Sequence, residues 1–217
     1  MKWPPELTPL QSLVADETWE RFRQATIDLA LERGYDAFEV SDIVERAGAS
    51  RAEFDACFTG KRDCCDRTYE ANIADFDQAL LGAYLQAPSW REGVRAGVYG
   101  AAEYLRDHGR ERRFGEIRMR FGGPMEQAAR DRYLQRIVDL IDVGRCEMSD
   151  PDAISRTTAE GVLGSMHQLL LSRLKESDGD GPGPEIIDDL MYLALRRYIG
   201  HEAGIGELPA SHAAPGM

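Results

Sequence analysis

The stretch Val40-Ser41-Asp42-Ile43-Val44-Glu45-Arg46-Ala47-Gly48-Ala49-Ser50-Arg51-Ala52-Glu53-Phe54 decides the fold. Its first seven residues place Val40, Ile43 and Val44 at helical spacing, and Ala47-Gly48-Ala49-Ser50 interrupts them. Gly48 supplies the left-handed backbone that a tight corner needs. Ser50 is a natural N-cap, so a new helix starts at Arg51, with Phe54 and Phe58 at i and i+4 as its inward face. Two short helices joined by such a corner form a helix-turn-helix, whose second helix can project its first residues outward.

Working outward, Glu17 to Arg33 carries Trp19, Phe22, Ala25, Ile27, Leu29, Ala30 and Leu31 mostly at three- and four-residue steps, and Gly34 stands where that helix ends. Thr59-Gly60 closes the helix after Ser50, and a longer helix is expected from about Lys61 to Ala87, before Pro88. Further helices are expected over 89–108, 110–121, 124–143, 151–176 and 184–200, separated by Gly122-Gly123-Pro124, Ser149-Asp150-Pro151 and the run Ser177–Pro184. Alternating, strand-like patterning is absent over any useful length, and no internal repeat is visible. The expected class is all-α: a three-helix helix-turn-helix N-terminal domain (17–63) and a C-terminal helical domain (64–200). A loose lead (1–16) and a Gly-, Ala- and Pro-rich flexible tail (201–217) flank them.

The 217 residues can bury a substantial core, and 43% hydrophobic with 29% charged residues is ordinary for a globular chain. Pro4, Pro5, Glu6 and Asp16 interrupt any apolar run in the first sixteen residues. No stretch reaches the roughly eighteen apolar residues of a membrane span. A cytoplasmic location and no membrane partner are therefore expected, and four cysteines suit a reducing compartment. The net charge of −12 argues against broad affinity for nucleic acid, although a local DNA-binding face stays possible. No glycine-rich phosphate loop, metal-ligand cluster or nucleophile–base ordering stands out, so neither catalysis nor a cofactor or metal is expected.

The fuller string is more specific than the corner alone. Ala30-Leu31-Glu32-Arg33-Gly34-Tyr35-Asp36-Ala37, then Val40 to Arg51, then Phe54, Phe58 and Lys61, resembles the N-terminal domain of TetR-family transcriptional regulators over roughly Thr18–Cys64. The resemblance implies a homodimeric, ligand-responsive repressor whose paired heads enter successive major grooves of an operator duplex. Ser50, Arg51, Ala52, Glu53, Asp55 and Lys61 are then the implied DNA-contact positions, with Lys61 as a phosphate contact. Several positions depart from the family's habit in one direction. Glu39 stands where a Thr is usual, Glu53 where a small or hydroxyl residue is, Asp55 where a Tyr is, and Ala52 and Cys57 where Gly and His are common. Residues 17–63 hold seven basic against eleven acidic side chains. A carboxylate facing a phosphate is repelled. Glu53 or Asp55 can instead accept from cytosine N4, and an Arg51–Asp55 pair at i and i+4 can mask the acid. The alternative reading is therefore a TetR-fold ligand- or partner-binding dimer that has lost operator binding.

The resemblance also implies an effector cavity in the body. Tyr84, Trp90, Tyr99, Tyr104 and Phe114 are candidate lining residues, with Met119, Phe121, Met125, Met166 and His167. Aromatic rings with a few polar tips suit a small apolar or aromatic effector, and they equally suit a packed core. Gly161, Gly164, Gln168 and Leu171 on one helix, with Ile186, Leu190 and Leu193 on the next, are the candidate dimer interface, as in a four-helix bundle. The adjacent Cys64 and Cys65 allow either a thiol sensor or two small buried hydrophobes; the resemblance puts Cys64 where a buried Leu is usual.

Overall fold

A computed structural model describes residues 17–121, 124–176 and 185–208; the expected lead and the tail beyond 208 lie outside them. Every regular element among the described residues is helical: α1 (Glu17–Arg33), α2 (Val40–Arg46), α3 (Arg51–Cys57), α4 (Lys61–Gln86), α5 (Trp90–Asp107), α6 (Gly109–Phe121), α7 (Pro124–Asp142), α8 (Thr157–Glu176), α9 (Glu185–Ile199) and α10 (His201–Gly206). Two 3-10 turns, Tyr35–Ala37 and Val143–Glu147, complete the set.

The described residues fall into two compact units. The first holds 17–78 together with 108–121 and 124–133. Its core is built from the apolar stripe of α1 (Trp19, Phe22, Ile27, Leu29), from Ile43 of α2, and from Phe54 and Phe58 on either side of the α3 terminus. Cys64, Cys65 and Tyr69 of α4 and Phe114 of α6 belong to the same cluster. The unit therefore runs past Asp63 and includes α6, which packs along α1. One contact there is charged and buried. Arg118 of α6, 1% exposed, donates to Asp66 Oδ1 of α4 at 2.7 Å and lies 4.7 Å from the centre of the Tyr35 ring. Burial pushes the Asp66 carboxyl up, against the pull of Arg118.

The second unit holds 79–107, 134–176 and 185–208. There α9 is the common neighbour, packing against α5, α8 and α10. Leu140 O accepts from both Tyr84 Oη and Trp90 Nε1, each at 3.0 Å, so one carbonyl satisfies two buried aromatic tips. Two expectations fail in this unit. The helix expected from 151 starts at Thr157, because Arg145 Nη1 donates to Pro151 O at 2.8 Å and to Ile154 O at 2.6 Å. Those are carbonyls that a helical first turn would use itself. The stretch after His201, expected to fray, starts with the helix His201–Gly206. Gly200 at φ 86° ends α9, and Tyr192 Oη meets His201 Nδ1 at 2.7 Å. Glu207 then ties the chain to α5, pairing with Arg91 and Arg95 at 3.1 Å each.

Gly144 has no room for a side chain: a Cβ there would lie 2.4 Å from Trp90 Cζ2 and 2.7 Å from Tyr198 Cγ. Gly144→Ala is expected to destabilise the chain by about 1–3 kcal/mol through overpacking. Gly82→Ala, in α4 with nothing within 4 Å of the added carbon, is expected to stabilise it by about 0.5–1 kcal/mol. Urea unfolding of the two variants checks this, and a Gly144→Ala protein as stable as the parent contradicts it.

Candidate nucleic-acid interface

The corner between α2 and α3 has the geometry that its residues call for. Gly48 sits at φ 60°, and Ser50, in extended backbone at φ −93°, caps α3. The cap is reciprocal. Glu53 N–H donates to Ser50 Oγ at 3.2 Å, while Ser50 N–H and Oγ–H donate to Glu53 Oε2 at 2.6 and 2.7 Å. The Glu53 carboxylate is thus folded back onto the helix start. Those two donations, then the charge of Arg21, hold it below its ordinary range. Arg21 of α1 pairs with Glu53 at 3.6 Å and donates to Gly48 O at 3.1 Å, pinning the corner from the side. Arg21 escaped the sequence reading because it lies 27 residues from Gly48 and fits no local pattern.

The start of α2 is held in a related way. Glu39 N–H donates to Asp42 Oδ2 at 2.7 Å, and Arg33 Nη1 donates to the other oxygen at 2.9 Å. The first of these, then Arg33, lowers the Asp42 carboxyl. Glu39 itself is the exposed N-cap residue.

On α3, Phe54 points inward and is fully buried, while Arg51, Ala52, Glu53, Asp55 and Ala56 are exposed. Arg51 Nε donates to both oxygens of Asp55, at 2.9 and 3.0 Å, the i,i+4 pair that the sequence suggested. Lys61, at the first position of α4, is half-buried. Its ammonium donates to Phe38 O at 2.5 Å and lies 4.7 and 4.5 Å from the ring centres of Tyr35 and Phe38. An ammonium has three N–H donors, of which this bond uses one. Ser50, Arg51, Ala52, Glu53, Asp55 and Lys61 thus lie within one short stretch of the N-terminal unit, with Glu53 committed to the cap.

The described effector candidates are divided between the two units. Phe114 is buried in the core of the first unit, whereas Tyr84 and Trp90 are buried in the second with their polar tips paired. Tyr104 and Met166 are half-buried, and His167 is exposed. Tyr99, 48% exposed, lines an open depression of about 390 Å³ with Arg95, Ile187, Asp188, Met191 and Glu207. The side chains of Met119, Phe121 and Met125 lie outside the described residues, as does that of Leu171. Among the interface candidates, Gly161, Gly164 and Gln168 are exposed on α8, and Leu193 is half-buried. Ile186 and Leu190, 1% and 6% exposed, are already buried within the chain and have little surface left for a partner. Among the described residues no group of three metal-ligating side chains forms, and no helix is long and apolar enough to cross a membrane.

Two measurements follow from these environments. Burial pushes the Cys64 thiol up to about 12 and the Cys65 thiol up to about 11. At pH 8 both stay protonated and enclosed, so a thiol-exchange dye is expected to label only Cys57 and Cys146 in the native chain and all four after unfolding. Fast labelling of Cys64 or Cys65 contradicts this and revives a sensor role. The lowered Glu53 carboxyl gives a pH signature. A carboxyl held low when folded adds stability above its unfolded pKa and loses it as pH falls through the folded value. The stability difference between the parent and Glu53→Gln is expected at neutral pH and should vanish in acid; a difference that persists unchanged in acid contradicts the cap.

Residues 23–67 match the family model of bacterial regulatory proteins, tetR family. No curated protein matches the chain. Among solved structures, it is similar to a TetR family transcription regulator from Marinobacter aquaeolei VT8, with 19% identity and a TM-score of 0.64 over 82% of this chain and 93% of that one. It is also similar to a fatty acid degradation regulator from Bacillus halodurans, with 14% identity and a TM-score of 0.68 over 83% and 96%. A TetR-family transcriptional regulator from Streptomyces coelicolor shares 21% identity and a TM-score of 0.57 over 85% and 98%. The helix-turn-helix head thus matches the tetR family model, and the chain shares the helical fold of these regulators.

Proposed function

We propose that this protein is a cytoplasmic, homodimeric transcriptional regulator that binds an operator duplex through paired helix-turn-helix heads. It acts as a repressor that a small apolar or aromatic effector releases. The observation that carries the reading is the presentation of α3. Its apolar side is anchored by Phe54, its start is capped by Ser50 and Glu53, and its outer side is left bare at Arg51, Ala52, Asp55 and Ala56. A seven-residue helix has little reason to be held so firmly with an exposed face unless that face meets something. The exposed α8 positions Gly161, Gly164 and Gln168 are the surface we assign to the second copy. Effector binding in the body would shift the population of dimers away from the head spacing that fits successive major grooves.

A second reading has its own support. Arg21, Arg23, Arg33, Arg46 and Arg51 are each paired with a carboxylate of the same unit. A head that spends its arginines internally suits a TetR-fold dimer that binds a ligand or a protein and no longer grips DNA.

Binding to the DNA upstream of the protein's own gene, measured across a salt series, separates the two. Operator binding is expected, with an affinity that falls as salt rises. Lys61→Ala is expected to weaken it on every sequence and to flatten the salt slope by about one unit per head. Absence of binding even at low salt removes the regulator reading in favour of the second. Binding that Lys61→Ala leaves untouched shows that the docking face lies elsewhere.

A further inference from the structure

We propose that the recognition helix reads a guanine through Arg51, with Asp55 as the residue that positions it. The inference rests on the operator-binding reading and names the base and the atoms involved. Arg51 and Asp55 are one helical turn apart on α3, and their side chains are 66% and 53% exposed. Arg51 Nε is the nitrogen engaged by both carboxylate oxygens. Because the guanidinium is planar, fixing Nε fixes the direction of the opposite edge. That edge, Nη1 and Nη2, has no partner among the described residues. It carries two parallel N–H donors at the spacing that guanine O6 and N7 accept in the major groove.

The surroundings suit this use. Ala52 and Ala56 are exposed and short, so the helix backbone can approach the groove floor on either side of the arginine. The Glu53 carboxylate, which would compete for Arg51 or repel a phosphate, is occupied by the Ser50 cap and Arg21. Asp55 is the residue that most plainly opposes DNA binding by charge. Paired with Arg51, its charge is locally offset, and it confines a long side chain whose freedom would otherwise be lost on binding.

Direct readout by Asp55 of cytosine N4 would select the same G·C pair, so sequence preference alone does not separate the two modes. The purine N7 does. Sites are first selected from randomised duplex DNA with the full-length protein, and the selected guanine is then replaced by 7-deazaguanine, which keeps the pairing and the cytosine N4 but lacks the N7 acceptor.

The expected result is a guanine in each half-site whose 7-deaza replacement weakens binding about tenfold for the parent protein. Arg51→Ala and Arg51→Lys, at an exposed position, are expected to bind more weakly and to be indifferent to the replacement. Asp55→Ala is expected to lower the ratio of affinities for guanine over other bases at that position while raising the affinity for unrelated sequence, a split that a merely structural role would not produce. The proposal is overturned if the parent tolerates 7-deazaguanine, or if Asp55→Ala keeps the guanine preference intact. Recovery of no sequence at all overturns the operator-binding reading together with this one; selected sites without an Arg51-dependent guanine overturn this one alone.

Discussion

Phe22 of α1 is fully buried and meets the rings of Phe54 and Phe58 edge-on, at centroid distances of 5.4 and 5.8 Å, and those two lie 5.1 Å apart. Everything proposed for the recognition helix depends on this three-ring contact. An isolated helix of seven residues does not persist in water, because nucleation costs more than so few hydrogen bonds return. It exists here because Phe54, with Phe58 at its C-terminal end, buries the inner face against α1. Each edge-to-face pair adds about 0.5–1.5 kcal/mol beyond the burial itself. Since both aromatics point inward, with Cys57 half-buried beside them, Arg51, Ala52, Glu53, Asp55 and Ala56 are left at the surface. The Gly48 corner, the Ser50 cap and the Arg21 bond to Gly48 O then set the angle at which that surface is offered.

The charge of the head is best understood as a distribution rather than a total. The excess of acids over bases within 17–63 is arranged as a set of short internal pairs. Arg46 grips both oxygens of Glu32, at 2.8 and 2.7 Å; Arg23 bridges Asn72 and Asp75; Arg67 meets Asp63. Such partly exposed pairs contribute little stability, about 0–1 kcal/mol each. Their effect is on the field: each pair cancels its own charge within a few ångströms. The acids of the head are therefore less repulsive to a phosphate than their number suggests, and its arginines are less attractive. Glu17, Asp36 and Glu39, exposed and in no ion pair among the described residues, are the acids whose charge is not offset in this way.

What the sequence made legible is what short-range physics controls. The helix-turn-helix, the Ser50 cap, the Gly48 corner and the Arg51–Asp55 pair all lie within one or two turns of the residues that announce them. Contacts across long separations left no such trace. Arg118 and Asp66 stand 52 residues apart, so nothing in their neighbourhoods showed that α6 joins the first unit. The turn at 151–156 depends on Arg145 reaching forward to two carbonyls, and α10 depends on Glu207 meeting α5, more than a hundred residues earlier. The effector candidates rest on a pattern that has two readings. An aromatic residue with a polar tip serves a cavity wall and a packed core equally well, and only the partner of the tip decides; for Tyr84 and Trp90 that partner is Leu140 O.

The same long-range geometry bears on Lys61. The Tyr35 ring has two cations within 4.7 Å of its centre, Lys61 from α4 and Arg118 from α6, and Arg118 is held in turn by Asp66. A cation over an aromatic face gains about 0.5–2 kcal/mol, more as water is excluded, and the Arg118 side chain is buried. The ammonium that we assign to a phosphate is thus placed by a carbonyl, two aromatic rings and, through one of those rings, a buried guanidinium on another helix. A lysine on an unconstrained stem would lose its rotamer freedom on meeting the phosphate; this one has surrendered most of it in folding. The acidic head has few cations to offer DNA, and the one at the start of α4 is pre-positioned by the N-terminal unit around it.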